Sequence, residues 1–359
     1  MTTCLGFAAL DAHCALTPFR FQRRALRDDD IAIAIAFCGV CHSDAHQVHN
    51  DWNNTVYPCV PGHEIVGYVT DTGPKVSRFK VGDRVAVGCQ VDSCLQCAPC
   101  AEHQEQLCVH GPTTTYNGKD RQTGDITYGG YAEHIVVREP FVLRMPENLD
   151  PRYAAPLLCA GITVWNPMRR YGVGKGSKVA VVGLGGLGHM AVKLATALGA
   201  DVTVITTSAG KADDARALGA RQVLLSSDTP GMAKAANSFE FIIDTIPRRH
   251  DVNPYLMLLG RNGVLVLVGA IEPLEPIHGG LLIRNNRSLV GSLIGGIQAI
   301  QELLDFCAEH QVLPDCEMIA MQDINSAFER LQSNDVKYRF VIDMSTLHDV
   351  ASLSSKEAP

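Results

Sequence analysis

The sequence predicts an α/β protein that combines a β-rich first domain with a doubly wound parallel sheet. Two observations carry this prediction. Strand and helix patterns alternate from residue 178 to about residue 295, whereas short strands and a cysteine-rich excursion dominate before residue 158. A further helix pattern and a closing strand pattern follow residue 296 and are expected to rejoin the first domain. We therefore assign 1–158 and 296–359 to the first domain and 159–295 to the second.

Length and charge restrict the kinds of partner. The 359 residues provide enough material for two domains, and 31 basic against 38 acidic side chains give a net charge of −7. This balance favours neither nucleic acid nor an anionic membrane. The apolar runs are too short to span a bilayer, and the first basic residue is Arg20, so a secretory signal is not expected. We expect a cytoplasmic protein.

The thirteen cysteines indicate metal sites more than disulfides, because disulfides are rare in cytosolic proteins. Four of them, Cys94, Cys97, Cys100 and Cys108, fall in an excursion over residues 89–110. Four thiolates at such spacings can close a tetrahedron around Zn²⁺ and stabilise a loop with little apolar content. A bacterial iron–sulfur cluster would place the fourth cysteine after three residues and before a proline. We predict a structural zinc lobe, with a reduced, metal-free lobe as the alternative.

The first strong strand pattern leads into a group of reactive side chains. Residues 31–37 alternate isoleucine with alanine, which is typical of a strand with one filled face. Cys41, Ser43 and His46 follow and offer a thiolate ligand, an alcohol and a proton acceptor to one pocket. A Pro-Gly turn then presents His63 and Glu64, which can both reach a metal. A solvated loop is the alternative interpretation of the histidines.

A glycine-rich turn organises the second domain. Apolar residues 179–182 predict a strand, and a helix pattern and a second strand at 201–205 follow the turn. The turn reads Gly183-Leu184-Gly185-Gly186-Leu187-Gly188. Its first glycine permits a tight bend, its second lets the backbone approach a pyrophosphate, and its third lets helix and strand pack closely. With the helix amides facing the anion, this pattern predicts dinucleotide binding; a glycine turn without a ligand is the alternative.

The end of the second strand decides between the two nicotinamide dinucleotides. An acidic side chain there would accept hydrogen bonds from the ribose of NAD and repel a 2′-phosphate. This chain instead has Thr206, Thr207 and Ser208, with Lys211 beyond, which offer hydroxyl donors and a cation to a phosphate. These residues favour NADP(H) over NAD(H), and an ordinary solvated loop is the alternative.

The remaining periodic segments complete the predicted topology. Residues 154–165 carry apolar side chains at helical spacing around Cys159, and the domain boundary should fall there. The second domain then continues with helices at 212–218 and 252–259 and with strands at 222–225, 239–244, 263–268 and 288–293. A helix at 297–309 and a strand at 338–342 form the returning segment.

Five motifs together resemble the zinc-dependent medium-chain alcohol dehydrogenases. They are GVCHSDAH, PGHEIVGYV, the four-cysteine excursion, LLCAGITVW and GLGGLGH, in this order along nearly the whole chain. Within that family the chain is most similar to the cinnamyl alcohol dehydrogenase branch and its bacterial aldehyde-reductase relatives. The resemblance implies a GroES-like catalytic domain, a Rossmann cofactor domain and a homodimer.

The resemblance also implies roles for individual residues. Cys41, His63 and Cys159 match the ligands of a catalytic zinc, and Glu64 matches a carboxylate that can approach the metal. Ser43 and His46 match a proton relay, and the four cysteines of the excursion match the ligands of a second, structural zinc. Further contacts to the cofactor are implied for Thr163, Thr245, Gly269, Ser292, Leu293 and Ile294.

One departure from the family bears on the substrate. Plant cinnamyl alcohol dehydrogenases have a tryptophan before the Tyr-Asn pair that follows the lobe, whereas here residues 113–115 are all threonine. The missing aromatic wall argues against a lignin precursor as substrate. Trp52 and Cys89 remain candidate walls of the substrate pocket, with plain packing as the alternative for Trp52.

The residues and the resemblance together predict a zinc-dependent oxidoreductase that transfers hydride between NADPH and aliphatic or aromatic aldehydes, reversibly with primary alcohols. An NAD-dependent polyol or secondary-alcohol dehydrogenase is the alternative enzyme, which the residues at 206–208 and Lys211 disfavour. A protein that binds zinc and dinucleotide without turnover is the alternative from another class. The physiological substrate and the preferred direction are not predicted.

Overall fold

The computed structural model describes residues 2–269 and 272–348, which form two compact units. One unit combines the chain up to Cys159 with the chain from Gly295 onward, and the other is Ala160–Ile294. Each boundary lies one residue from the position expected from the sequence. A search of the described helices found none that is long and apolar enough to cross a membrane.

The strands alternate with loops in the first unit and with helices in the second. In chain order they are β1 (Thr2–Ala8), β2 (Thr17–Arg23), β3 (Asp30–Val40), β4 (Ile65–Thr72), β5 (Arg84–Val87), β6 (Gln90–Asp92), β7 (Thr113–Thr114), β8 (His134–Arg138), β9 (Leu143–Arg144), β10 (Lys178–Val182), β11 (Asp201–Thr206), β12 (Gln222–Leu225), β13 (Phe239–Asp244), β14 (Leu259–Leu267), β15 (Ser288–Gly291), β16 (Cys316–Ala320) and β17 (Arg339–Asp343).

The α-helices are short in the first part of the chain and longer around the second sheet. They are α1 (His42–Val48), α2 (Ala98–Ala101), α3 (Pro151–Ala154), α4 (Ala160–Arg170), α5 (Gly186–Ala197), α6 (Ala212–Ala217), α7 (Thr229–Lys234), α8 (Asn253–Leu258), α9 (Gly279–Ile283), α10 (Ile297–His310) and α11 (Ile324–Gln332).

The main sheet of the first unit is built around β3. It runs in the order β16-β17-β3-β4-β5-β9, and β8 also pairs with β3. The isoleucines of the alternating segment are buried, as expected for a strand with one filled face. Because β17 pairs antiparallel with β3, the predicted return of the closing strand to the first domain is confirmed.

The second unit is a six-stranded parallel sheet. Its order, β12-β11-β10-β13-β14-β15, reverses direction between β10 and β13, so the predicted doubly wound fold is confirmed. Ala180, Ile242 and Leu265 on its central strands are fully buried, since a sheet with helices on both faces has no solvated face. Ligands of such sheets bind at the carboxyl ends of the strands, where the order reverses.

The predicted helix over 154–165 is wrong in its middle. The structure has a 3₁₀ helix over Ala155–Leu158, and Cys159 then leaves the helical region at φ −127° and ψ −67° before α4 begins. Leu157 and Leu158 are fully buried, as are Ala160 and Ile162. Because the segments on both sides of Cys159 are buried, their apolar residues follow a spacing that resembles one continuous helix. The structure shows that Cys159 interrupts this helix.

Several elements of the first unit were not predicted, among them the hairpin of β1 and β2, helix α1, β16 and α11. The sequence signal for α11 is clear in retrospect, because Ile324, Ala327, Phe328 and Leu331 are its buried residues and recur at helical spacing. The signal for β16 is weaker, since all five of its residues are only partly buried.

Candidate functional site

Four candidate metal ligands of the first unit converge on one point. Cys41 follows β3 and caps α1, His63 and Glu64 directly precede β4, and Cys159 lies between the 3₁₀ helix and α4. All four are buried, and one ligand atom from each lies within 4.8 Å of the others. The Sγ atoms of Cys41 and Cys159 are 3.9 Å apart. The structure therefore brings together all four residues named for a catalytic zinc.

Asp44 orients this group from the first turn of α1. Its carboxylate accepts hydrogen bonds from the backbone amides of Cys41 and Gly62, at 2.9 Å and 3.0 Å. It also lies 3.0 Å from Nδ1 of His63, which leaves the other ring nitrogen available to a metal. Sequence reasoning missed Asp44, although its position three residues after Cys41, as the partner in a capping box, was a readable signal.

Glu64 lies against the metal ligands and is fully buried. Its Oε1 pairs with the buried guanidinium of Arg339, while its Oε2 has no hydrogen-bond partner among the described residues. A Cβ added at Gly39 would overlap this carboxylate, so the glycine makes room for it. Burial raises the pKa of Glu64 to about 7. Arg339 was also missed, because only the pairing of β17 with β3 brings it here.

The donor set fits zinc. A hydrogen bond from the Cys159 thiol lowers the pKa of Cys41 well below its usual value, against the effect of burial, and the Arg339 guanidinium adds to this. Two sulfurs, one imidazole and a carboxylate with a free oxygen match the ligands that Zn²⁺ takes in catalytic sites. Among the described residues, the buried and unpartnered Oε2 of Glu64 is the kind of group that a cation would satisfy.

Ser43 and His46 lie on α1 beside the metal ligands. Cys41 Sγ and Ser43 Oγ are 3.6 Å apart. His46 Nδ1 is 2.6 Å from Asp51 Oδ2, and its side chain is 29% exposed. The imidazole is therefore partly open to solvent, with Asp51 as an orienting carboxylate that the sequence analysis did not single out.

The two proposed pocket walls lie near the same group. The ring of Trp52 is 5.9 Å from that of His46, and the residue is 38% exposed. Cys89 is hydrogen-bonded with Cys159 and lies 3.7 Å from the Leu158 carbonyl. Cys89 is therefore a neighbour of the metal ligands, whereas Trp52 borders the relay.

The four cysteines of the excursion also come together. Their sulfurs lie within 4.8 Å of one another, with Cys97 Sγ 3.4 Å from Cys100 Sγ and 3.9 Å from Cys108 Sγ. Backbone amides lower the pKa of Cys94 to about 6, whereas burial raises that of Cys100 to about 12. The Cys100 thiol therefore needs a cation to become a thiolate at neutral pH, which fits a tetrahedral zinc site.

The lobe is anchored to the returning segment by Glu105. This buried carboxylate accepts a hydrogen bond from the Ile297 amide at 3.0 Å, at the start of α10. A Cβ at Gly296 would overlap the His103 carbonyl, so the two segments are in close contact. The position of the lobe therefore depends on contacts with a segment about 190 residues away in sequence as well as on its own sulfurs.

The glycine turn of the second unit has the geometry that its sequence predicts. Gly183 is in the left-handed region at φ +90°, and a Cβ at Gly188 would overlap the Gly183 carbonyl. At Gly185 a Cβ would meet no described atom within 4 Å, so this position faces open space. Gly185 also precedes α5, whose amino-terminal amides receive no cap from a side chain there. The turn therefore fits a pyrophosphate at the helix terminus.

The candidate phosphate-binding residues lie next to this turn. Lys211 Nζ donates to the Leu184 carbonyl at 2.9 Å, which ties the loop after β11 to the glycine turn. Thr206 is buried and accepts from the Ser208 amide at 3.2 Å, whereas Thr207 and Ser208 are exposed. A cation and two free hydroxyls are thus available beside the predicted dinucleotide.

The other predicted cofactor contacts lie at or near the carboxyl ends of the parallel strands, with one exception. Thr245 follows β13 and donates from its hydroxyl to the Val182 carbonyl at 2.8 Å. Gly269 contacts the Thr245 carbonyl so closely that a Cβ would overlap it. Ser292, Leu293 and Ile294 follow β15, and Thr163 is a buried residue of α4 instead.

Comparison with known proteins relates both units to one group of enzymes. Residues 27–147 match the alcohol dehydrogenase GroES-like domain, and residues 186–309 match the zinc-binding dehydrogenase family. The chain is 50% identical to the 8-hydroxygeraniol dehydrogenase of Catharanthus roseus, across 95% of this chain and 94% of that protein. It is 49% identical to the NADP-dependent alcohol dehydrogenase C 1 of Mycolicibacterium smegmatis, across 97% and 99%.

Solved structures give the same relationship. A cinnamyl alcohol dehydrogenase of Sorghum bicolor superposes with a TM-score of 0.93 at 46% identity, covering 96% of this chain and 98% of that one. A cinnamyl alcohol dehydrogenase of Helicobacter pylori, solved in complex with NADP(H), superposes with a TM-score of 0.89 at 40% identity, covering 96% and 98%.

Proposed function

Because this chain belongs to the zinc-dependent medium-chain alcohol dehydrogenases, in their cinnamyl alcohol dehydrogenase-like branch, we propose that it transfers hydride between NADPH and aldehydes. The proposal includes aliphatic and aromatic aldehydes and the reverse reaction with primary alcohols. The observation that carries it is the convergence of Cys41, His63, Glu64 and Cys159 within 4.8 Å in the first unit.

We assign the catalytic metal to Cys41, His63 and Cys159 and a second, structural zinc to the four cysteines of the lobe. When bound at the first site, zinc supplies Lewis-acid polarisation of the substrate oxygen. Two thiolates neutralise its charge, and Asp44 keeps the His63 imidazole in the orientation that a ligand requires. The Glu64 carboxylate, with one oxygen on Arg339, can approach the same point when the substrate position is free.

We assign the transfer of the reaction's proton to Ser43 and His46. The Ser43 hydroxyl lies beside Cys41 and can pass a proton to or from the substrate oxygen. His46, whose side chain is 29% exposed, would exchange that proton with solvent. The Asp51 carboxylate, 2.6 Å from Nδ1, orients the imidazole ring.

We expect His46→Gln to lower turnover about tenfold and to flatten its pH dependence, because glutamine cannot exchange a proton with solvent near neutral pH. Steady-state rates of aldehyde reduction across a pH series measure this. His49→Gln, at an exposed histidine that follows the same helix, is the matched control and should leave the profile unchanged. An unchanged rate and pH profile in His46→Gln would contradict the relay.

The preference for NADPH rests on the loop after β11. Lys211 reaches the glycine turn, and Thr207 and Ser208 present exposed hydroxyls beside it. A 2′-phosphate carries up to two negative charges and accepts such hydrogen bonds, whereas residues 207–212, which directly follow β11, include no carboxylate to accept from an unmodified ribose. The NADP-dependent relative and the structure in complex with NADP(H) support the same choice.

Parallel rates with NADPH and NADH test this proposal, using benzaldehyde and a medium-length aliphatic aldehyde. We expect NADPH to be the better cofactor by at least about tenfold, and Lys211→Ala to lower kcat/KM for NADPH by about tenfold while leaving NADH nearly unaffected. Lys234→Ala, which removes a lysine on α7 outside this loop, is the control. An equal loss of kcat/KM with both cofactors would show that Lys211 stabilises the glycine turn and does not bind the 2′-phosphate.

A polyol dehydrogenase is the second candidate. A mannitol dehydrogenase of Petroselinum crispum is 52% identical to this chain across 92% of it and 98% of that protein. Turnover of polyols with NAD, together with no reduction of either aldehyde, would favour this candidate over the one we propose.

We also propose a homodimer formed through the second units. Among the described residues β15 is an edge strand of the parallel sheet, so its outer hydrogen-bonding groups are free to pair with a second chain. Ile283 and Leu293, on either side of this strand in sequence, are 83% and 59% exposed. Burial of these side chains in a partner would remove apolar surface from water.

A further inference from the structure

A buried charged pair follows β13 in the second unit. The Asp244 carboxylate is fully buried at the end of the strand, and its Oδ2 lies 2.7 Å from His250 Nε2. The other ring nitrogen of His250 lies 2.7 Å from the Arg248 carbonyl. A carbonyl only accepts, so Nδ1 carries a proton and donates to it. The contact between Nε2 and Oδ2 needs one further proton, held by either the imidazole or the Asp244 carboxyl.

This pair closes the loop of residues 245–250, and the loop contacts the glycine turn. Asp244 Oδ1 accepts from the Ile246 amide at 3.0 Å, which fixes the start of the loop. Thr245 donates to the Val182 carbonyl from both its amide and its hydroxyl, at 3.0 Å and 2.8 Å. Val182 directly precedes Gly183. The conformation of residues 245 and 246 is therefore held between the buried pair and the strand that leads into the turn.

A second ion pair ties the same loop to the one after β14. Arg249 Nε lies 2.7 Å from Glu275 Oε1, and the Glu275 amide donates to the His250 carbonyl at 3.2 Å. The Arg249 amide donates to Glu272 at 2.7 Å. The loop of residues 245–250, which includes the proposed cofactor contact Thr245, is thus joined to Glu272 and Glu275 through residues 249 and 250.

We propose that Asp244 and His250 form a clasp, reinforced by Arg249 and Glu275, that positions residues 245–250 to bind the dinucleotide at the glycine turn. His250 is a positioning residue, because its side chain acts through Asp244 and the loop. The inference rests on the proposed use of NADP(H). Without the clasp, residues 245 and 246 lose their fixed conformation, and ordering them on binding opposes the affinity.

The clasp has a definite dependence on pH. Burial opposes a charge on His250, but the Arg248 carbonyl and the Asp244 carboxylate outweigh it and raise the pKa of the imidazole. The other titratable groups around the ring are Asp251, which adds to this effect, Tyr255, whose ring centroid is 6.3 Å away, and Glu275 and His278, which line the same cavity as His250. A raised pKa means that the clasp is complete below the ordinary histidine pKa and is lost as pH rises through the folded value.

Binding of NADPH, followed by its fluorescence, tests the clasp without relying on turnover. We expect His250→Gln to raise the Kd and the KM for NADPH about tenfold while kcat at saturating NADPH stays within about twofold. The wild-type Kd should rise as pH increases above about 6.5, the ordinary histidine pKa, and the variant should lose this rise. His13→Gln, at an exposed histidine of the first unit, is the control and should resemble the wild type.

A double variant separates a clasp from a general loss of folding. His250→Gln leaves the Asp244 carboxylate buried without its cation, whereas Asp244→Asn with His250→Gln leaves two neutral side chains. The double variant should therefore bind NADPH better than the sum of the single effects predicts. A wild-type Kd in His250→Gln overturns the clasp. A wild-type protein that binds neither NADPH nor NADH overturns the proposed function, and the clasp with it.

Discussion

Replacing Cys159 by serine is expected to lower kcat at least about a thousandfold and to remove one of two zinc ions per chain. Cys159 is buried beside Cys41 at 3.9 Å, and a neutral serine hydroxyl supplies neither the charge nor the softness of a thiolate. Because the lobe cysteines lie in a separate cluster, their zinc should remain. NADPH oxidation with benzaldehyde and elemental analysis of zinc measure the two effects on the same sample.

Cys307→Ala is the matched control for this experiment. Cys307 is fully buried in α10 and belongs to neither group of metal ligands, so its loss should leave zinc content and kcat close to those of the wild type. Near-normal turnover of Cys159→Ser at one zinc per chain would contradict the assignment of the catalytic metal. If the wild type itself were inactive with two zinc ions bound, this would favour the alternative of a protein that binds zinc and dinucleotide without catalysing a reaction.

Replacing Cys100 by serine is expected to release the other zinc and to lower the Tm by about 10 °C. The lobe has almost no core of its own, since Leu95, Leu107 and Val109 are all exposed. Its shape therefore depends on the four sulfurs and on the contact of Glu105 with α10. Loss of one sulfur leaves three ligands and a buried hydroxyl, which cannot hold the segment in place.

Thermal unfolding with and without a chelator, together with zinc analysis, measures this effect. Cys316→Ser, which removes a half-buried cysteine outside both clusters, should leave the Tm within about 2 °C of the wild type. Chelation of the wild type should lower its Tm toward that of Cys100→Ser. An unchanged Tm in Cys100→Ser, with two zinc ions still bound, would contradict a structural role for the lobe metal.

Much of the fold could be predicted because local patterns determine it. Alternating isoleucines predicted β3, and the glycine turn with its flanking strand patterns predicted the parallel sheet around β10. The proposed ligands were also accessible, because each stands in a short motif at a strand end or a turn. The convergence of Cys41, His63 and Cys159 in the structure follows from where those elements meet.

The residues that support these ligands could not be predicted in the same way. Arg339 has no motif around it, and its contact with Glu64 depends on a strand pairing between the two ends of the chain. Asp51 resembles any surface acid until the geometry places it 2.6 Å from His46. The break at Cys159 was missed because residues on both sides of it are buried, so hydrophobic spacing alone could not locate the interruption.

The insertion of the second unit within the first has a consequence for how the protein is made. β3 and Glu64 leave the ribosome early, but β17 and Arg339 follow only after the whole of 160–294 has been synthesised, and Arg339 is 275 residues from its carboxylate partner. The parallel sheet can therefore fold on the nascent chain while β3, in the first sheet, still lacks its neighbouring strand β17. A chain that ends before residue 339 would carry the four potential metal ligands Cys41, His63, Glu64 and Cys159. It would lack the Arg339 guanidinium that balances the Glu64 carboxylate.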